Sequence, residues 1–252
     1  MSRLEDYQDR FRNIRFERRD GILLMSVHTD GAPLKWAALE GSIHDQLGEA
    51  FFRVARDREN RVVIFTGTGN AFCTELNAAE LPAGMNAEEW YRLTREGKDL
   101  VMNMLDIEVP VIAAVNGPAY IHAQLPLLAD VVLAAEHAEF ADLAHFVHGV
   151  VPGDSAQVVW PMLLGPNRGR HFLLTGQRIG ARDALALGFV AEVLPAAELL
   201  PRAWALAREW AVKPLDTLRF TRIALTQAIK RRMLDELGHG LTMEGFALMP
   251  RG

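Results

Sequence analysis

The sequence predicts an α/β protein whose sheet is covered on both faces and followed by a helical tail. Three observations carry this. "RVVIFTGTG", "VPVIAAVNGP" and "DVVLAAE" are short, continuous aliphatic runs, each bounded by turn or polar residues. Strands buried on both faces read this way, whereas half-solvated strands alternate. Segments with apolar residues at helical spacing lie between them, giving the order strand, helix, strand, helix, strand. Beyond Asp154 the pattern is almost entirely helical.

Taken in order, "IRFERRDGILLMSVHT" holds two extended runs around Asp20-Gly21, a hairpin signal. In "SIHDQLGEAFFRVARD", Ile43, Leu47, Ala50, Phe51 and Val54 line one helical face. A buried strand then ends in the loop "GTGNAF". That loop lacks the third glycine of a dinucleotide fingerprint, and reads better as backbone N–H groups pointing into a site. Asn86 and Glu89 have the spacing of a capping box before a helix bearing Trp90, Leu93, Leu100, Val101 and Met104. The strand "VPVIAAVNGP" closes on Gly117-Pro118, a short helix follows, and "DVVLAAE" is the next strand. Pro201 and Pro214 are expected near helix starts, where a missing N–H is tolerated. The last helix carries Leu218, Ile223, Leu225, Ile229 and Met233, more apolar surface than one side can bury. That surface suits packing on the core or on another subunit, and the expected division is a core over residues 1–195 and a helical tail over 196–252.

Composition removes several functions. Of 252 residues, half are hydrophobic and 23% charged, and the net charge is −5. No basic face suggests nucleic acid or an anionic membrane. Cys73 is the only cysteine, so no internal disulfide is possible, and a buried inert thiol is expected there. The first residues are charged throughout and no apolar run reaches membrane-spanning length, so a soluble cytoplasmic protein is expected.

The chemistry concentrates in the histidines. His28, His44, His137, His171 and His239 have no polar constellation near them in sequence. His122 is set among apolar neighbours in "NGPAYIHAQLPLLAD", where an imidazole is costly unless hydrogen-bonded. In "AHFVHGVVPGD", His145 and Asp154 flank a Pro-Gly turn. His145 and His148 at i, i+3 would permit a metal, but HExxH and an evident third ligand are absent, so no metal is expected. The alternative is a His–Asp pair, in which the carboxylate fixes the tautomer and the free nitrogen takes a proton from water. His148 is then a bystander. Without G-x-S-x-G or an activated cysteine, attack by water is expected rather than a covalent intermediate. Asp154 before "SAQVVW" also suits a helix N-cap.

"VVIFTGTGNAFCTELN", "EVPVIAAVNGPAYIHA", "DVVLAAEHAEFADL" with "GVVPGD", and "LLTGQRIGARDALALGFVAEVLP" together resemble the crotonase (enoyl-CoA hydratase/isomerase) superfamily. The resemblance spans roughly residues 14–215. It implies a crotonase-like spiral of ββα units with a C-terminal helical trimerisation region, and a homotrimer or dimer of trimers. It places one oxyanion-hole N–H near Leu76 and the other at His122. The chain departs from CoA-using members there: "NGPAYIHAQL" has no glycine run, Leu125 falls where hydratases have their first acidic residue, and the second falls near His145. "SVHTDGAPLKW", "HF…GVVPGD", "VVWP" and "NRGR…FLLTGQ" are similar to the β-diketone hydrolase branch, the 6-oxocamphor hydrolase type.

That resemblance implies hydrolysis of a carbon–carbon bond in a cyclic or bicyclic 1,3-diketone, without metal, CoA or other cofactor. The residues it implies are Trp36, His122, His145, Asp154 and Glu244. His145, oriented by Asp154, would activate water. His122, supported by Glu244, and the Trp36 indole would bind the carbonyl oxygens, with Leu76 contributing to binding. The stretch "AAELPAGMNAEEW" departs from the camphor enzyme where its pocket is lined, so the reaction class is expected to outlast the substrate. A CoA-thioester hydratase or isomerase and a non-catalytic binding protein are the alternatives.

Overall fold

The structure, a computed structural model, describes residues 2–82 and 86–249. Six strands form the main sheet in the order β1-β2-β4-β6-β7-β10. They are β1 (Ile14–Arg19), β2 (Ile22–Val27), β4 (Val62–Gly67), β6 (Val111–Val115), β7 (Val131–Ala135) and β10 (Glu192–Leu194). The β1–β2 hairpin turns at Asp20-Gly21 and is antiparallel; every later pairing is parallel. The aliphatic runs are therefore buried strands, as their composition predicts.

A second layer repeats beside the first. β3 (Leu34–Trp36) pairs in parallel with β5 (Cys73–Leu76), and β8 (Glu139–Phe140) pairs with β9 (Ile179–Gly180). Ala119 bridges both Cys73 and Phe140. Each turn of the chain thus adds a strand to the main sheet and an extended segment to the smaller layer. That alternation is the expected spiral.

The two faces of the main sheet separate by residue parity. Ile22, Leu24, Val62, Ile64, Ile112, Ala114, Leu133 and Ala135 pack with Leu199, Ala203 and Ala207 of α6 (Ala196–Ala211). Leu23, Met25, Val63, Phe65, Ala113, Val115 and Ala134 join the larger core with Leu47 and Phe51 of α1 (Ile43–Arg56) and Leu100 and Met104 of α2 (Ala87–Leu105). Successive side chains of a strand point to opposite faces, so continuous aliphatic runs fill both. Asn86 caps α2 through the N–H groups of Glu88 and Glu89, and Glu89 returns to Asn86 as the capping box requires.

Three short helices, α3 (Ala156–Leu164), α4 (Pro166–Thr175) and α5 (Ala181–Leu187), precede α6, and α7 (Leu215–Leu248) ends the described chain. Three local expectations are corrected. The short helix after β6 is a single 3-10 turn, Pro126–Leu128. Pro214 does precede its helix, but Pro201 lies inside α6, which starts at Ala196 behind Pro195. Proline rather than a polar side chain ends the preceding loop, so no capping signal marked that start. In the "GTGNAF" loop, the Gly67 and Phe72 N–H groups serve the scaffold rather than a site: Gly67 donates to Asn116, and Phe72 donates to the Pro118 carbonyl.

α7 is anchored by one buried cation. The Arg222 guanidinium lies 2.7 Å from Asp130 and donates to the Leu105 and Ile107 carbonyls at the end of α2. The last carbonyls of a helix lack internal partners, so this contact completes α2 while fixing α7 across it. Among the described residues, no helix is long and apolar enough to cross a membrane.

Candidate active site

The site forms where the 116–125 segment, the 140–155 segment and α7 meet beside β3. Asn116 and Gly117 set the first of these. The Asn116 side chain accepts from Gly67 and donates to the Gly69 and Ala71 carbonyls. A Cβ at Gly117 would sit 2.0 Å from the Asn70 carbonyl oxygen, so only glycine allows this approach. Tyr120 and Ile121 then donate to the Cys73 carbonyl, while Ala141 and Leu143 donate to Ala119 and Tyr120. One hydrogen-bonded strip therefore fixes the backbone of His122 relative to that of His145.

His122 has a left-handed backbone, φ +50°. Asp20 and Asp30 also have positive φ, but each precedes glycine in a turn. His122 and Ser155 (φ +90°) have no such excuse, and both adjoin the polar cluster. Such positions cost about 1–3 kcal/mol and gather at functional sites.

The cluster is a chain of contacts. His122 Nδ1 lies 2.6 Å from Asp154 Oδ2, and Gln124 Nε2 donates to both Asp154 oxygens at 3.1 Å. His145 Nε2 lies 3.3 Å from Asp154 Oδ1, and its Nδ1 lies 2.6 Å from Asp142 Oδ1. The Trp36 ring lies over His122, with centroids 4.0 Å apart. Among the described residues, neither His122 Nε2 nor the Trp36 indole N–H forms a hydrogen bond within the protein. His122 and Asp154 side chains keep 13% and 15% exposure, whereas His145 keeps 2%. The open side of the cluster is thus the His122 side.

Charge follows from these contacts. Burial opposes an imidazolium at His145, but Asp154 and Asp142 outweigh it and hold the ring well above the usual histidine range. Burial lowers His122, which stays neutral despite Asp154. Burial also works against the Asp154 carboxylate, yet His145 and His122 hold it well below the ordinary range. Asp154 is therefore ionised, His145 charged and His122 neutral near pH 7.

Glu244 reaches this cluster from α7 of the same chain. A Cβ at Gly153 would stand 2.1 Å from the Gly240 carbonyl oxygen, so α7 presses directly on the Pro152-Gly153 turn. The Glu244 carboxyl is pushed up to about 8 by burial and by Asp154, and its Oε2 has no hydrogen-bond partner. It is a neutral acid at pH 7. Folding therefore takes up a proton here, and this contribution to stability falls as pH rises from the ordinary carboxyl range through about 8. Glu244→Gln is expected to remove that loss, so its Tm falls less than wild type's between pH 6 and 9. An equal slope in both proteins would contradict the assignment.

The expected His145–Asp154 contact is present, but Asp154 lies nearer to His122. Asp154 is the partner of His122 first and of His145 second. His145 has its Nδ1 on Asp142, and its Nε2 faces Asp154 Oδ1 at 3.3 Å. His122 is supported by Asp154 and Gln124, not by Glu244. His44 also gains a partner: its Nδ1 lies 2.9 Å from Glu96, which Arg92 pairs in turn, and its ring meets Trp36 edge-on at 5.9 Å. Leu76 is the register partner of Trp36, with an exposed side chain. His148 is exposed at the end of its 3-10 turn, Phe146–His148. Cys73 is buried and its thiol pushed up to about 12 by burial, as an inert thiol should be. In "AAELPAGMNAEEW", residues 83–85 lie outside the described residues.

His122, His145 and Asp154 offer atoms within 4.8 Å of one another, a spacing one metal ion could share. The 2.6 Å His122–Asp154 contact is a hydrogen-bond distance, shorter than two ligands of one tetrahedral ion, about 3.3 Å, would keep. As arranged, these groups satisfy each other.

The enoyl-CoA hydratase/isomerase family profile matches residues 17–244. The chain belongs to that family. A probable enoyl-CoA hydratase of Rhodobacter capsulatus is 32% identical over 188 residues, 73% of this chain and 70% of that protein. A carnitinyl-CoA dehydratase of Salmonella paratyphi A is 34% identical over 161 residues, 62% of this chain and 60% of that one. Among solved structures, a β-diketone hydrolase from the cyanobacterium Anabaena sp. PCC 7120, bound to (S)-3-oxocyclohexyl acetic acid, superposes with a TM-score of 0.93. It is 42% identical and covers 96% of both chains. An enoyl-CoA hydratase/isomerase from Mycobacterium paratuberculosis superposes at 0.87 with 26% identity over 96% of both. The chain thus shares its fold with an enoyl-CoA hydratase/isomerase and with a β-diketone hydrolase.

Asp142, Gln124 and the His44–Glu96 pair were missed in the sequence. Asp142 had a signal: it precedes His145 by three residues, one turn, the same spacing that drew attention to His148. Gln124 follows His122 by two, a spacing without helical or strand meaning in an irregular segment. Glu96 meets His44 only through the packing of α2 on α1.

Proposed function

We propose that this protein hydrolyses a carbon–carbon bond of a cyclic 1,3-diketone, giving a keto acid by a retro-Claisen reaction. The observation that carries the reading is His122: one ring nitrogen is held by a carboxylate, the other is uncommitted, and the ring lies against an indole. The keto acid bound to the cyanobacterial β-diketone hydrolase adds support. Its ring ketone and acetate arm are what remains when water opens one bridge of a bicyclic 1,3-diketone.

In the reaction, His122 Nε2 takes a proton from water, and hydroxide adds to one carbonyl. Asp154 and the Trp36 ring face stabilise the imidazolium that forms. The tetrahedral intermediate collapses and breaks the bond to the carbon between the carbonyls. The electrons pass onto the second ketone as an enolate, whose oxygen the Trp36 N–H holds. His122 returns its proton to the carbon, so one water is consumed and no redox partner is needed. His145 remains charged beside Asp154, and its positive field favours the oxyanion. A preorganised donor or charge of this kind contributes about 3–4 kcal/mol to the barrier.

The second reading is a CoA-thioester hydratase or isomerase, which the named sequence relatives favour. Against it, Leu125 is a buried apolar residue where a hydratase would need an acid. The test is a symmetric bicyclic 1,3-diketone in ¹⁸O-water with chelator and without CoA. A keto acid carrying one ¹⁸O in its new carboxyl group is the expected product. Recovery of unreacted diketone over a range of ring sizes would overturn the reading.

The apolar residues Phe220, Leu225, Leu234 and Phe246 are exposed on α7. They support self-association as a trimer or dimer of trimers, to be read by sedimentation velocity.

A further inference from the structure

We propose that Asp142 is a positioning residue of this site: it fixes His145 through Nδ1 and holds that ring between two carboxylates, leaving proton transfer to His122. The geometry is direct. Asp142 Oδ1 lies 2.6 Å from His145 Nδ1, and the two side chains are 1% and 2% exposed. The same oxygen accepts the Ala144 N–H at 3.3 Å, and Leu143 donates to the Tyr120 carbonyl. The carboxylate is therefore held by the strip that holds His122.

A purely structural role does not account for the residue. Turning the chain at Ala144 and orienting one ring N–H needs one acceptor oxygen, which asparagine supplies at lower desolvation cost. Asp142 instead buries a carboxylate whose Oδ2 has no partner. What the carboxylate adds over the amide is charge, and charge at Nδ1 stabilises the second proton on the ring. Every titratable neighbour bears on this. Asp154 lies 3.3 Å from Nε2, His122 meets the ring edge-on with centroids 5.5 Å apart, and Glu244 approaches from α7. With Asp154 shared between two histidines, a second carboxylate is what lets His145 stay charged while Asp154 orients His122.

The consequence is a division of labour. A cation fixed at His145 keeps Asp154 ionised, and an ionised Asp154 keeps the His122 Nδ1 proton in place. Asp142 thus acts on the reacting group through two intermediaries and touches no substrate.

The test uses the whole protein with ¹⁵N-histidine. The ring nitrogens of His145 are assigned from a His145→Gln control and titrated from pH 6 to 9 in wild type, Asp142→Asn and Asp142→Glu. In wild type, both ring nitrogens should stay protonated through pH 8. In Asp142→Asn, His145 should titrate at least about one pH unit lower, a tenfold change in its proton affinity. Asp142→Glu should restore part of the shift. The kinetic arm rests on the proposed cleavage reading: the rate of Asp142→Asn should fall on the alkaline side, where His145 now loses its proton, and recover in Asp142→Glu. A neutral His145 at pH 7 in wild type overturns the proposal, as does an unchanged titration in Asp142→Asn. The wild-type titration decides even where a variant fails to fold. A shifted His145 titration in a protein that cleaves no diketone would leave the positioning role intact and refute the cleavage reading alone.

Discussion

His122→Ala is expected to lower kcat for diketone cleavage by about 10²–10⁴-fold, the usual range for a general base. KM should change much less, because Trp36 and the rest of the cluster stay in place. The fold should survive, since alanine meets the same left-handed backbone at φ +50° that histidine already occupies. The wild-type rate should also fall below the pH at which His122 becomes protonated. Burial lowers that point beneath the ordinary imidazole value, so the acid limb lies on the acid side of about 6.5. Steady-state kinetics from pH 5 to 9 read both effects. A His122→Ala variant with near-normal kcat would remove His122 as the base.

Asp154→Asn should be at least as damaging. Asp154 contacts both histidines, at 2.6 Å to His122 and 3.3 Å to His145. The amide can accept one ring N–H but holds no charge. His122 then loses stabilisation of its imidazolium, and His145 is left with Asp142 alone. A carboxylate-to-amide change behind a catalytic histidine costs about 10⁴-fold in a comparable triad, and a loss of about 10³–10⁴-fold in kcat/KM is expected here. Stability carries a matching sign. Asp154 titrates well below its ordinary range when folded, so its stabilisation is present at neutral pH. It is lost as pH falls through the ordinary carboxylate range toward the folded value. Asp154→Asn should lower Tm at pH 7 and narrow the gap to wild type in acid. Equal Tm values at pH 7 would show that the buried pairs do not stabilise the fold.

The main sheet was legible because its strands are buried on both faces, and that burial demands unbroken aliphatic runs such as "VVIF" and "VIAAV". The β1–β2 hairpin was legible from Asp20-Gly21, and the start of α2 from Asn86 and Glu89, since turns and caps depend on local residue chemistry. Pro201 misled because α6 opens behind another proline, with no polar cap to mark it. For the site, the identities of His122, His145, Asp154 and Glu244 were legible, and they converge. Their pairing was not. Which ring nitrogen meets which carboxylate depends on how the 119–122 segment lies against 140–143, a long-range backbone contact that spacing does not encode. Asp142 stands one turn from His145 and was overlooked for the more distant Asp154.

Diketone cleavage and CoA-thioester chemistry make opposite demands on this site. The most direct measurement is kcat/KM on one enzyme preparation for two substrates, a symmetric bicyclic 1,3-diketone and crotonyl-CoA. The expected result is saturable cleavage of the diketone, lost in His122→Ala, and no hydration of crotonyl-CoA above background. Efficient hydration of crotonyl-CoA with an inert diketone would contradict it, and would return the chain to the chemistry of its hydratase relatives.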